Sequence, residues 1–189
     1  IAIFSIDDLK GDTSIINDLK ISLIKPNRKV DHDTIEEIES EINRLTWLGL
    51  KMTDGNNRAC YIPETDEIKM PHRTQFKKRE AYYSTLFHEI THWTGHSSRC
   101  DRNLKGNFAS NDYAFEELIA ELGASFHMAH YNLLHETRSD HVHYLKSWAK
   151  ALRDKPDSLR SACKYASQSF FFVRDKAEVI ASDKAVGDV

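Results

Sequence analysis

His88-Glu89-Ile90-Thr91-His92 is the stretch of this chain best equipped for chemistry. Residues four apart on a helix lie on one side, a turn above each other. Two imidazoles so placed can bind one metal ion, and Glu89 projects beside them, within reach of a water held on that ion. HExxH alone is moderately specific. Its setting adds weight, because the pattern around it reads as an amphipathic helix and a second, acidic helix follows.

A catalytic zinc takes three protein ligands and keeps one position open. The pattern HExxHxxGxxH would supply the third from a histidine, and Gly95 fits it. Position 98 is Ser98, however. His96 lies about 12 Å from His88 along a straight helix, too far to share an ion. No methionine suggests the turn that accompanies that pattern. The other source is a glutamate from the run Glu116-Glu117-Leu118-Ile119-Ala120-Glu121-Leu122-Gly123-Ala124. On a helical wheel Glu117, Glu121, Ala124 and Met128 share a stripe that mixes small, apolar and acidic residues, as a buried face would. Buried carboxylates are costly unless paired or bound to a metal. Glu117 is therefore assigned as the third ligand, with Glu121 one turn on orienting a ligand histidine. Glu116 points about 100° away and stays an alternative. The opposing reading leaves these glutamates in solvent. Gly123 and Ala124 would let the two helices approach closely. His127, His130, His135, His141 and His143 read as surface or core residues. Tyr82, Tyr83 and Tyr113 are candidates to contact a substrate carbonyl.

The elements that must carry these residues follow from periodicity. Asp33 and Glu36 form a capping box, opening a helix with Ile35, Ile38, Ile42, Leu45 and Leu48 inward. Asp54-Gly55-Asn56 breaks the chain. Residues 58–63 and 66–70 form a hairpin through Glu64-Thr65, and a strand beside the active helix could pair with an extended peptide. A helix spans 78–94, with Tyr83, Leu86, Phe87, Ile90 and Trp93 packing, the histidines on a separate stripe, and Gly95 as a left-handed cap. Residues 97–111 read as a loop and 113–132 as the next helix. Two more helices start at Ser139 and near Lys155-Pro156-Asp157, with Val142, Leu145, Trp148, Leu152, Leu159, Tyr165, Phe170 and Phe171 as apolar positions. Ile1 to Phe4, Ile15-Ile16 and Ile21 to Ile24 are weak strand candidates, and the last ten residues, 180–189, read as a frayed tail.

Composition narrows the class. A chain of 189 residues with 40% hydrophobic content fits one domain, 1–189, with a proper core. Lys plus Arg number 26 against 29 Asp plus Glu, a net charge of −3, which disfavours a general nucleic-acid binder. Lys146, Lys150, Arg153, Arg160 and Lys164 read as a solvated helix surface. Cys60, Cys100 and Cys163 are scattered, which suits a reducing compartment rather than a disulfide framework. No apolar run reaches transmembrane length and no signal peptide is visible. Residue 1 is Ile, so the chain reads as a piece of a longer protein.

The run from Tyr82 to His96, with its Trp93-Thr94-Gly95-His96 extension, resembles the zincin-like metallopeptidase domain of ArdC-type antirestriction proteins. Related domains occur in TraC-type plasmid primases and phage polyvalent proteins. The likeness includes Tyr61-Ile62-Pro63, Asp66, Ile68 and Met70-Pro71 upstream. Downstream it takes in Ser98-Arg99, Asp101-Arg102, Tyr113-Ala114, the glutamate run, Tyr144 and Trp148. It covers roughly residues 50–170, and residues 1–50 match loosely. The resemblance implies an α+β zincin-like fold: a small, mostly antiparallel sheet with helices and an HExxH active-site helix. It implies His88, His92 and a downstream glutamate on Zn2+ (another divalent ion such as Mn2+ is an alternative), with Glu89 as catalytic base. It further implies a cytoplasmic protein of a plasmid or phage acting on a peptide or protein, with DNA engaged only through a missing N-terminal domain. The rival expectation is a metal-binding interaction module that does no catalysis.

Overall fold

The apolar period over residues 35–45 is realised as α1 (His32–Trp47), with Ile38, Ile42 and Leu45 buried. In the computed structural model, residues 32–104, 110–133 and 157–187 are described. The strand candidates before residue 25, the Ser139 helix with its apolar positions, Tyr144, His135, His141, His143, Lys146, Lys150 and Arg153 lie outside them. The described part of α1 begins at His32, with Asp33 in its first turn.

The hairpin forms as expected. β2 (Cys60–Ile62) and β3 (Glu67–Lys69) pair antiparallel, with Tyr61 opposite Ile68. The turn carries Asp66 at φ 51°, a left-handed conformation that Asp tolerates better than most residues. The expected antiparallel character is incomplete. A strand absent from the sequence reading, β1 (Lys51–Thr53), pairs with β3 in parallel, so the sheet is mixed, in the order β1-β3-β2. β1 is three residues long and mostly exposed, too short for alternation to reveal it. Ile68, at the centre of β3, is fully buried and joins the sheet to the core.

The motif lies on α2 (Arg79–Thr94). An amphipathic helix was expected, but every residue from Tyr82 to Thr94 is buried except His92. A helix covered on all sides has no polar face to show a period. Gly95 also departs from expectation. It is right-handed, at φ −71° and ψ −12°. Its missing side chain serves packing, since a Cβ there would meet Leu104 Cδ2 at 2.8 Å and Arg102 Nη2 at 2.9 Å.

α3 (Asn111–His130) starts where the Ser110 hydroxyl accepts from the Tyr113 amide at 3.1 Å. It packs on α2 and on α4 (Asp157–Gly187), whose helical backbone continues into the last ten residues expected to fray. The buried face of α4 is Ala162, Ala166, Ser169 and Val173, while Tyr165 and Phe171 are exposed. Small residues permit close helix packing and hide the face from a search for large apolar ones. Among the described residues no helix is long and apolar enough to cross a membrane, and all three cysteines are free.

The approach of α2 and α3 is set by Gly123. A Cβ there would fall 2.6 Å from Thr91 Cγ2. Gly123→Ala is therefore expected to destabilise the fold by about 1–3 kcal/mol, despite the better helix propensity of Ala. Urea unfolding measures this, and adding Thr91→Ala should return much of the loss.

Candidate metal centre

Three side chains converge between α2 and α3. His88 Nε2 and His92 Nε2 stand 3.1 Å apart. Glu117 presents Oε2 at 3.6 Å from His88 Nε2 and Oε1 at 3.5 Å from His92 Nε2. Among the described residues, these three are the group whose ligand atoms all lie within 4.8 Å of one another. Two ligands each about 2.0 Å from a tetrahedral ion lie about 3.3 Å apart. The spacing and the donor set of two imidazoles and a carboxylate both fit a divalent cation.

The stripe read from the helical wheel is buried throughout. Glu117 is 7% exposed and Glu121 1%, with Ala124 and Met128 fully buried. The solvated reading of these glutamates does not hold. Glu121 Oε1 lies 3.3 Å from His88 Nδ1, on the far side of the ring from the convergence point. Glu116, weighed as an alternative ligand, lies beside the other imidazole instead, its Oε1 3.2 Å from His92 Nδ1. Each histidine thus has a carboxylate at Nδ1 and presents Nε2 to the centre.

Sequence reasoning missed two partners. Arg102, its side chain 3% exposed, donates to Glu116 through Nε at 3.0 Å and Nη2 at 2.8 Å. It also donates to the Thr94 hydroxyl at 3.0 Å and to the Thr91 carbonyl, tying the loop after α2 back to the helix. Nothing in its spacing from Glu116 signals this, since an irregular loop has no period. The other is the Tyr61 amide of β2, which donates to Glu89 Oε2 at 2.8 Å. The base candidate, 3% exposed, is held by the strand that flanks it.

Electrostatics follow from burial and pairing. Burial pushes the His88 imidazole below its ordinary value, outweighing its glutamate neighbours. Burial also opposes charge on His92, but the bonds from Glu116 and Glu117 lift it to about 10. Glu117 resists burial through His88 and His92 and lies far below the usual carboxylate range. Two rings in Nε2 contact cannot both carry a charge comfortably.

The outer residues sort clearly. Tyr82 and Tyr83 are buried, the latter donating to Glu39 at 2.5 Å. Tyr113 is half-buried in the first turn of α3, one turn before Glu117. His127 is a core residue stacked on Phe87 at 4.5 Å, while His130, Arg160 and Lys164 are exposed.

Comparison with known proteins identifies the class. The model of a zincin-like metallopeptidase family matches residues 38–165, and the chain belongs to that family. It is 37% identical over 144 residues to a DNA primase TraC of Escherichia coli, covering 76% of this chain and 10% of the primase. It is 38% identical over 133 residues to the uncharacterized protein y4eC of Sinorhizobium fredii (strain NBRC 101917 / NGR234), covering 70% and 43%. The crystal structure of the antirestriction ArdC protein from plasmid R388 in its Mn(II)-bound form superposes with a TM-score of 0.67 at 34% identity, covering 75% of this chain and 52% of that one. The metal-free ArdC structure gives 0.65 at 32% identity, covering 79% and 52%. The chain thus spans from a tenth to about half of these relatives. It is an ArdC/TraC-type domain with an α+β zincin-like fold.

One ion pair beside the centre has a pH signature. Arg99 and the Tyr61 hydroxyl bind Asp66 and hold its carboxyl below the usual range, although burial works the other way. A depressed carboxyl contributes stability above its unfolded value and loses it as pH falls through the folded one. Asp66→Asn keeps tolerance of the left-handed turn. It should cost about 1–2 kcal/mol at pH 7. The difference from the unaltered chain should shrink below about pH 4. Urea midpoints taken from pH 3 to 7 measure it.

Proposed function

We propose that this domain hydrolyses peptide bonds with a divalent metal ion, zinc by preference, held by His88, His92 and Glu117. The single observation that carries the reading is the convergence of His88 Nε2, His92 Nε2 and the Glu117 carboxylate, with the neighbouring Glu89 on the same helix. Two imidazoles, each with a carboxylate beside Nδ1, form a donor set suited to Zn2+, while the Mn(II) of the ArdC structure keeps manganese in contention. When bound, such an ion supplies Lewis acidity towards a carbonyl and makes water a better nucleophile at neutral pH.

The chain's own groups do the rest. Glu89 takes the proton from the attacking water and passes it to the leaving amine. Glu116 accepts from Nδ1 of His92 and the Glu121 carboxylate lies 3.3 Å from Nδ1 of His88, which favours each Nε2 lone pair aimed inward. Arg102 balances the charge of Glu116, so that this carboxylate does not compete for the ion. His92 is the partly exposed member of the motif, and substrate enters from its side. An extended peptide would lie along β2, the edge strand beside α2. A cytoplasmic setting is in keeping with the plasmid origin of the ArdC relative.

A second reading has its own support. The relatives carry the names of an antirestriction protein and a primase rather than of a peptidase. The domain would then bind metal and a protein partner without catalysis. Protection against a restriction enzyme that survives Glu89→Gln favours that reading.

For the hydrolytic reading, Glu89→Gln is expected to retain bound metal and lose about 100- to 10,000-fold in peptide cleavage. Cleavage at the unaltered rate would rule it out. Glu117→Ala should weaken zinc binding, measured by competition with a chelating dye, well beyond the roughly 10- to 100-fold expected for Glu116→Ala. The reverse order would move the third ligand to Glu116.

A further inference from the structure

β2 is three residues long and lies at the edge of its sheet. So short a strand, paired on one side only, is weakly held by its ladder bonds. Yet its Tyr61 amide is what grips Glu89 Oε2, at 2.8 Å. The aim of the carboxylate therefore depends on where β2 sits relative to α2.

A separate set of contacts fixes that distance. The Tyr61 hydroxyl donates to Asp66 Oδ1 at 2.8 Å, bracing the hairpin from within. Arg99 then takes both oxygens of Asp66, Nη1 donating to Oδ2 at 3.0 Å and Nη2 to Oδ1. Its Nη2 also reaches the Tyr61 hydroxyl at 3.4 Å. On its other side, Arg99 Nε donates to the Trp93 carbonyl at 2.7 Å, and the guanidinium lies 4.0 Å from the centroid of the Trp93 ring. Trp93 directly follows the ligand candidate His92. One side chain, 7% exposed, thus fastens the hairpin turn to the end of the helix that carries the motif. A bidentate charged pair at low exposure is stiffer than a solvent-exposed one. A lysine could not reproduce both the fork and the stacked plane.

We propose that Arg99 and Asp66 are positioning residues for Glu89: they hold β2 so that the Tyr61 amide fixes one oxygen of the base for proton transfer. The kinetic part of this proposal rests on the hydrolytic reading above, whereas the geometric part does not.

The experiment has two arms, both on the whole chain. In the first, amide hydrogen exchange is followed at Tyr61 and at Leu86, in the middle of α2. In Arg99→Lys and in Asp66→Asn, exchange at Tyr61 is expected to accelerate at least about tenfold beyond any change at Leu86. Acceleration at Tyr61 no greater than at Leu86 would mean general loosening or none, and would overturn the proposal. In the second arm, zinc-loaded Arg99→Lys is assayed on internally quenched peptides of randomised sequence. A fall in kcat of about tenfold, with KM and zinc content unchanged, is expected. Unchanged kcat despite a released Tyr61 amide would overturn the positioning role. If no version of the chain cleaves the peptides, the hydrolytic reading fails, and the exchange arm still decides whether the clamp exists.

Discussion

Everything at this centre depends on concentrating negative charge where water is scarce. Glu89, Glu116, Glu117 and Glu121 are all buried, in one small region between α2, α3 and β2. Carboxylates taken out of water are tolerated only against positive or hydrogen-bonding partners. Arg102 answers Glu116, the Tyr61 amide answers Glu89, and the imidazoles answer Glu117 and Glu121. Glu116 and Glu117 both lie within 3.5 Å of the His92 ring nitrogens, so negative charge outnumbers positive there. A divalent cation in the space bounded by His88, His92 and Glu117 would offset the excess. The close contact of α2 and α3 at Gly123 and Thr91 makes that space small enough for three ligands to share.

Much of this was legible before any coordinates. The HExxH spacing places two imidazoles on one side of a helix whatever surrounds it, because helix geometry is local. The stripe of Glu117, Glu121, Ala124 and Met128 was readable for the same reason, and its small residues foretold the close approach. The hairpin was legible because β-type runs were bounded by Pro63, the Glu64-Thr65 turn and Pro71. What spacing could not decide was which glutamate faces which nitrogen. Glu116 and Glu117 differ by one position, and only the packing of α3 against α2 sends one to Nδ1 of His92 and the other to the centre.

The rest was hidden for identifiable reasons. β1 is three residues long and pairs in parallel with β3, Lys51 opposite Glu67, so its existence is a tertiary fact. α2 was misread as amphipathic because its polar residues are buried along with its apolar ones, and polarity then no longer reports exposure. Gly95 was read through its conformational freedom, when its use is the room it leaves for Arg102 and Leu104. On α4 the large residues Tyr165 and Phe171 drew attention away from Ala162, Ala166 and Ser169, which carry the packing. Arg102 and Arg99 act from a loop, where no period exists to announce them.

Two imidazoles and one carboxylate are placed so that they could surround one cation. Anomalous scattering at the zinc edge, from crystals of the chain grown with zinc, tests it most directly. The account predicts one strong peak within bonding distance of His88 Nε2, His92 Nε2 and an oxygen of Glu117, with Glu116 and Glu121 outside that distance. A peak bound elsewhere, or none among these three side chains at saturating zinc, would contradict it.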